Sequence, residues 1–133
     1  MLSHVASTAR DKPVKPVGAT DITPPIAESC LSDWLDRHKQ WTLHNEAVEH
    51  ECGTTTKRQT LGRTFTFSSY AEAVGFLQRV SQYSERVGHH PDVHVTHQCT
   101  DGATVRLLYA TFATGALTEF DTSCAAEVGN VCL

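Results

Sequence analysis

The stretch SYAEAVGFLQRVSQYSERVGHHP, residues 69–91, carries the strongest local structural signals of the chain. Ser69 is a favoured N-cap residue, and Glu72 three positions later completes the pattern of a capping box. Gly88 suits the left-handed conformation that ends many helices, and Pro91 prevents the helix from continuing. Small and apolar residues recur between these ends at helical spacing, at Ala73, Phe76, Leu77, Val80, Ser84 and Val87. The stretch therefore predicts one long helix that leads into two adjacent histidines.

The segments on either side of this helix show the patterns of strands. LGRTFTF, residues 61–67, alternates larger side chains with glycine and threonine, and WTLHN begins a short strand at Trp41. VHVTHQC (93–99) and TVRLLYATF (104–112) predict two further strands, because an Asp-Gly turn signal separates them. The polar stretch 49–60 predicts a loop or a hairpin tip.

Two more helices complete the element order. One is predicted within residues 27–39, and the last begins near Thr118, with Asp121 as its capping partner. The order α-β-β-α-β-β-α predicts an α+β fold in which helices cover one face of an antiparallel sheet. Residues 1–26 hold four of the five prolines and little periodicity, which predicts a flexible tail before a single folded domain at 27–133.

Composition excludes several classes of protein. The net charge of -4 argues against nucleic-acid binding, which needs a basic surface. No apolar run approaches the ~20 residues that span a bilayer. Five widely spaced cysteines without a C-x-x-C pair argue against a disulfide framework and favour a reducing, cytoplasmic location. The opening MLSHVASTAR has one arginine and no acid, which leaves organelle targeting as a weaker alternative.

The histidine-rich region admits three interpretations. Glu85 lies four residues before His89 at the end of the long helix, so a carboxylate and an imidazole could meet there. Two neighbouring histidines, His89 and His90, could then divide acid and base duties near neutral pH. Alternatively, they are polar turn residues, and Glu85 is an ordinary solvated helix residue. A metal site is the third interpretation, but His94 and His97 project to opposite faces of a strand, and paired zinc spacing is absent.

The chain from Trp41 onward resembles the pterin-4a-carbinolamine dehydratase family over about 95 residues. The matching pieces are WTL (41–43), FTFSSYAEAVGFLQRVSQYSERVGHHPDV (65–93) and GALTEFD (115–121), and the specific signature is Glu-x-x-x-His-His-Pro at the helix end. The resemblance implies a four-stranded antiparallel sheet and assembly into homodimers or homotetramers. It also implies dehydration of 4a-hydroxytetrahydropterin to quinonoid dihydropterin, as in tetrahydrobiopterin recycling, without a metal or an organic cofactor.

The resemblance also implies roles for individual residues. His89 and His90 would transfer protons, with Glu85 orienting or charging His89. Substrate contacts would come from Pro91, Thr111, Phe112 and Asp121, although helix capping alone would also account for Asp121.

One position departs from the family pattern. The family has a histidine after threonine at the end of the last strand, whereas this chain has Phe112 after Thr111. Phenylalanine can stack on a pterin or close the pocket, but it cannot transfer a proton. Three hypotheses follow: a dehydratase, in which His94 or His97 could replace the missing group; a protein-binding module such as a Rubisco assembly factor, known among similar proteins; and a pterin-binding protein without turnover.

Overall fold

The computed structural model describes residues 23–111 and 114–133. The elements are α1 (Glu28–Arg37), β1 (Thr42–Glu49), β2 (Thr55–Phe67), α2 (Tyr70–Val87), β3 (Asp92–His97), β4 (Ala103–Tyr109) and α3 (Glu119–Val131). This order and the antiparallel pairing confirm the predicted α+β fold. None of the helices in these two ranges has the length and apolar composition that crossing a membrane requires.

The four strands form one sheet in the order β1-β2-β4-β3. β2 is the longest strand, and only its second half, from Leu61 onward, pairs with β4. Its first half pairs with β1 alone, from Glu49 opposite Thr55 to His44 opposite Thr60. The stretch predicted as a loop or hairpin tip is therefore largely strand. Because nearly all side chains of this stretch are polar, it shows no alternation of apolar and polar residues that would indicate a strand. Its β-branched threonines nevertheless favour an extended backbone.

The hydrophobic core lies between the helices and one face of the sheet. Alternate residues of β2 and β4 supply the sheet side, and α2 contributes Phe76 and Val80 against them. Trp41 packs edge-on against Phe65 with 6.3 Å between ring centroids. Because strand side chains alternate between faces, the opposite face of β2 and β4 carries the pairs Thr64–Arg106 and Thr66–Thr104, together with Gly62 opposite Leu108.

Helix α2 is bounded as the sequence predicts. The Ser69 hydroxyl accepts a hydrogen bond from the Glu72 backbone N–H at 3.1 Å. The Glu72 carboxylate reaches one residue further back than a capping box requires and accepts from the Ser68 hydroxyl at 2.7 Å. Gly88 takes a left-handed φ of 75°, and its N–H donates to the Ser84 carbonyl at 2.8 Å. Gly88 therefore ends the helix and turns the chain toward β3.

Gly88→Ala should lower the free energy of unfolding by about 1–2 kcal/mol, because an L side chain is strained in the left-handed region. Gly75→Ala is the matched control, since Gly75 lies inside the same helix and an added Cβ would have only Arg79 Nη1 within contact, at 3.6 Å. That change should raise stability by about 0.5–1 kcal/mol. Urea denaturation of both variants measures the two shifts. Equal shifts for both glycines would contradict the assigned role of Gly88.

Candidate active site

His89 is buried directly after the Gly88 turn, with 8% of its surface exposed. Its Nε2 lies 2.7 Å from Oδ1 of Asp121, which is on α3, 32 residues along the chain. Because an ionised carboxylate only accepts hydrogen bonds, Nε2–H is the donor, and in the neutral form of the ring the lone pair is then on Nδ1. The ring lies nearly parallel to that of Tyr109, with 6.0 Å between centroids, and Phe120 lies 6.2 Å away. The imidazole is thus held in one orientation.

Asp121 is fully buried and surrounded by donors. Its Oδ2 accepts from the Thr111 hydroxyl at 2.6 Å and from the Thr118 backbone N–H at 3.0 Å. The hydroxyls of Thr111 and Thr118 also lie 3.0 Å apart. A buried carboxylate is costly unless such bonds satisfy it. Asp121 therefore caps α3, as the sequence predicts, and holds His89 with its other oxygen.

His90 lies beside His89 but in a different environment. Its Nε2 is 2.6 Å from Oε2 of Glu85, and both side chains are more than half exposed. The sequence spacing suggested that Glu85 would meet His89 instead. Because Gly88 is left-handed, the chain leaves the helical path there, and His90, five residues after Glu85, contacts the Glu85 carboxylate. The partner of His89 Nε2 is therefore Asp121 and not Glu85.

The remaining predicted site residues lie at different distances from this pair. Pro91 is half-buried directly before β3, and Thr111 is buried and donates its hydroxyl hydrogen to Asp121. Phe112 lies outside the described residues.

His94 and His97, the other two histidines near the site in sequence, lie on β3. They project to opposite sides of the strand, and the ring of His97 meets Tyr70 edge-on, with 5.9 Å between ring centroids. The rise of a strand places His97 about 16 Å beyond the start of β3.

Two contributors were not predicted from the sequence as site residues. Tyr109 stacks on His89, and its hydroxyl has no hydrogen-bond partner within the described residues. Burial raises the pKa of the Tyr109 hydroxyl above its ordinary value, so the group stays neutral. Thr118 was expected only as the start of a helix. The alternation of β4 predicts Tyr109 only as a core residue. Its contact with His89, and that of Thr118 with Asp121, depend on how distant segments of the chain pack together.

The described residues offer no group of three or more His, Cys, Asp or Glu side chains placed to hold a metal ion. All five cysteines are free thiols. Burial raises the pKa of the Cys124 thiol to about 11, so it remains protonated near neutral pH. Cys124 is one of the buried residues of the hydrophobic core.

The fold and the buried His–Asp pair define a small α+β protein with an imidazole site suited to proton transfer. The profile of the family described as pterin 4 alpha carbinolamine dehydratase matches residues 24–131, and the chain belongs to that family.

Individual relatives agree with this assignment. A protein from Chloroflexus aurantiacus, provisionally named pterin-4-alpha-carbinolamine dehydratase, is 27% identical over 108 residues, which are 81% of this chain and 97% of that protein. A protein of the same provisional name from Dechloromonas aromatica is 31% identical over 104 residues, 78% of this chain and 77% of its own. The crystal structure of a transcriptional coactivator/pterin dehydratase from Brucella melitensis superposes with a TM-score of 0.61 at 21% identity. The superposition covers 83% of this chain and all of the Brucella melitensis chain, and it supports the assignment of the fold.

Proposed function

We propose that this protein is a lyase that dehydrates 4a-hydroxytetrahydropterin to quinonoid dihydropterin. The observation that carries the proposal is the pair of adjacent imidazoles, one buried on Asp121 and one exposed on Glu85. Two such groups in different surroundings can take opposite roles in a proton-transfer reaction. The pterin is the substrate, and the proposed chemistry uses only side chains of the protein.

The reaction needs one proton donated and one removed. The 4a-hydroxyl leaves as water after it gains a proton, while loss of the N5 proton supplies the electron pair of the new C=N bond. In our proposal Nδ1 of His89 accepts the N5 proton, because Nε2–H is engaged by Asp121. The resulting imidazolium faces the Asp121 carboxylate, which stabilises it. His90 protonates the departing oxygen and regains its proton from solvent, to which it is open.

The direct test is a rate measurement on freshly generated 4a-hydroxytetrahydropterin with the full-length protein. We expect dehydration faster than in buffer, in proportion to protein concentration. The double variant His89→Ala/His90→Ala, shown to be folded by circular dichroism, is the control for adventitious buffer or metal catalysis. A folded wild-type protein that gives the buffer rate would rule the proposal out.

A second candidate function rests on Phe112, which stands where the family pattern has a histidine. Without that group, the protein could act as a binding module, with Rubisco as the first partner to test and a homodimer or homotetramer as the assembly. The Brucella melitensis protein is named both as a transcriptional coactivator and as a pterin dehydratase, which supports a binding role as the second candidate. Cytoplasmic action is part of both proposals, because the free thiols fit a reducing compartment.

Phe112→His separates the two candidates. It should raise the dehydration rate by up to about 10²–10⁴-fold, the usual contribution of a general acid or base, if a third imidazole joins a working site. Tyr70→His, an equivalent change at an exposed aromatic on α2, is the control and should leave the rate unchanged. An inactive wild type that gains activity only with Phe112→His, and that retains Rubisco in a pull-down, would favour the binding module.

A further inference from the structure

Gln59 contacts the segment between β4 and α3 through both its backbone and its side chain. Its backbone N–H donates to the Gly115 carbonyl at 3.0 Å, and its Oε1 accepts from the Leu117 backbone N–H at 3.0 Å. Gln59 belongs to the first half of β2, which extends beyond the pairing with β4. Residues 114–117, the docking turn, therefore rest against the protruding part of this strand.

The docking turn fits closely against β2. Gly115 has a φ of 69°, and a Cβ at this position would lie 2.9 Å from the Lys57 carbonyl oxygen. The Thr114 hydroxyl donates to the Ala116 carbonyl at 2.6 Å, which fixes the shape of the turn from within. Leu117 is fully buried, so its N–H depends on protein acceptors such as Gln59 Oε1. The turn has its own shape, and it is held by Gln59 from β2 and by the Ile26 backbone N–H, which donates to the Leu117 carbonyl at 2.8 Å. Gln59 supplies the only side-chain hydrogen bond to the Leu117 N–H within the described residues.

The position of the docking turn decides where Asp121 lies. Thr118 follows Leu117 directly and donates its backbone N–H to Asp121 Oδ2. The other oxygen of Asp121 accepts from His89. A displacement of Leu117 thus reaches the imidazole through one peptide bond and two hydrogen bonds. Misplacement of a reacting group by about 1 Å can cost on the order of a hundredfold in rate.

We infer that Gln59 is a positioning residue that fixes Asp121, and through it the ring of His89, without touching substrate. The activity part of this inference rests on the proposed function, whereas the placement of the ring does not. The chemistry needed at residue 59 is an acceptor at the length of a glutamine side chain. A glutamate supplies that acceptor, whereas a methionine of similar size offers only a thioether sulfur, which is a weak acceptor.

The test compares Gln59→Met with Gln59→Glu in the full-length chain. For Gln59→Met we expect kcat to fall about tenfold to hundredfold with KM within about twofold of wild type. NMR should show the ring N–H proton of His89 exchanging with water at least about tenfold faster, because its bond to Asp121 opens more often. Gln59→Glu should restore both quantities to within about threefold of wild type, because its carboxylate accepts from the same backbone N–H. Asn45→Met, which also replaces an amide side chain with methionine at the exposed cross-strand neighbour, should change neither.

The outcomes separate the inference from the proposed function. If wild type has no dehydratase activity but Gln59→Met still accelerates exchange and Gln59→Glu restores it, the function fails and the positioning role stands. Unchanged exchange in Gln59→Met overturns the positioning role, whatever the activity. Should Gln59→Met not fold, Gln59→Asn gives the same readings, because its acceptor is one methylene too short. A variant that only melts earlier, with wild-type kcat and exchange below its transition, also overturns the inference.

Discussion

His89→Ala should lower kcat for dehydration of 4a-hydroxytetrahydropterin by about 10²–10⁴-fold, the usual contribution of a general acid or base. The change removes the Nδ1 lone pair and also takes a donor from the buried Asp121 carboxylate. Loss of a hydrogen bond to a buried charged group costs about 1–3 kcal/mol, so the variant should also unfold at lower denaturant concentration. Single-turnover kinetics and urea denaturation measure the two effects.

His90→Ala separates a loss of activity from a loss of stability. Its side chain is 55% exposed and pairs with an equally exposed Glu85, so stability should change by less than about 0.5 kcal/mol. The rate should nevertheless fall by about tenfold or more if His90 supplies the departing oxygen with its proton. His50→Ala, at an exposed position of the turn between β1 and β2, should change neither quantity. A wild-type rate in His89→Ala would show that the reaction occurs elsewhere.

The long helix was predictable because its signals are local. The Ser69 cap contacts a residue three positions away, and the Gly88 turn contacts one four positions away. Nothing in either signal depends on how the rest of the chain folds. The same locality limited the prediction for Glu85, since a single left-handed residue moved its contact from His89 to His90. Spacing along an ideal helix does not describe a chain that has just left one.

The supporting half of the site depends on contacts between distant segments. Asp121 reaches His89 only because α3 and the end of α2 lie together beside the sheet. Thr111, two residues after the end of β4, donates to the other oxygen of the same carboxylate. The sequence pattern of a capping acid is the same whether or not its second oxygen has a partner. It therefore does not distinguish an Asp121 that only caps α3 from one that also holds His89. Gln59 lies in a polar stretch without clear periodicity, which hid the strand that carries it.

Asp121→Asn should be the most informative change at this supporting half, because every group around the carboxylate is a donor. An amide keeps only one acceptor oxygen. If that oxygen serves the Thr118 N–H, the amide NH₂ faces His89, and the ring must present Nε2 as the acceptor and carry its proton on Nδ1. His89 then lacks the lone pair that takes the N5 proton. We expect kcat to fall by about 10²-fold or more.

The opposite orientation of the amide would spare the ring and lose the cap, which costs about 0.5–2 kcal/mol. Stability should therefore fall little when the rate falls much, and urea denaturation of the same samples checks this relation. Glu119→Gln makes the same chemical change two residues earlier, at an exposed position in the first turn of α3, and should leave both quantities near wild type. A rate in Asp121→Asn equal to that of Glu119→Gln would mean that the carboxylate only caps the helix, and that the orientation of His89 is set by its stacking on Tyr109.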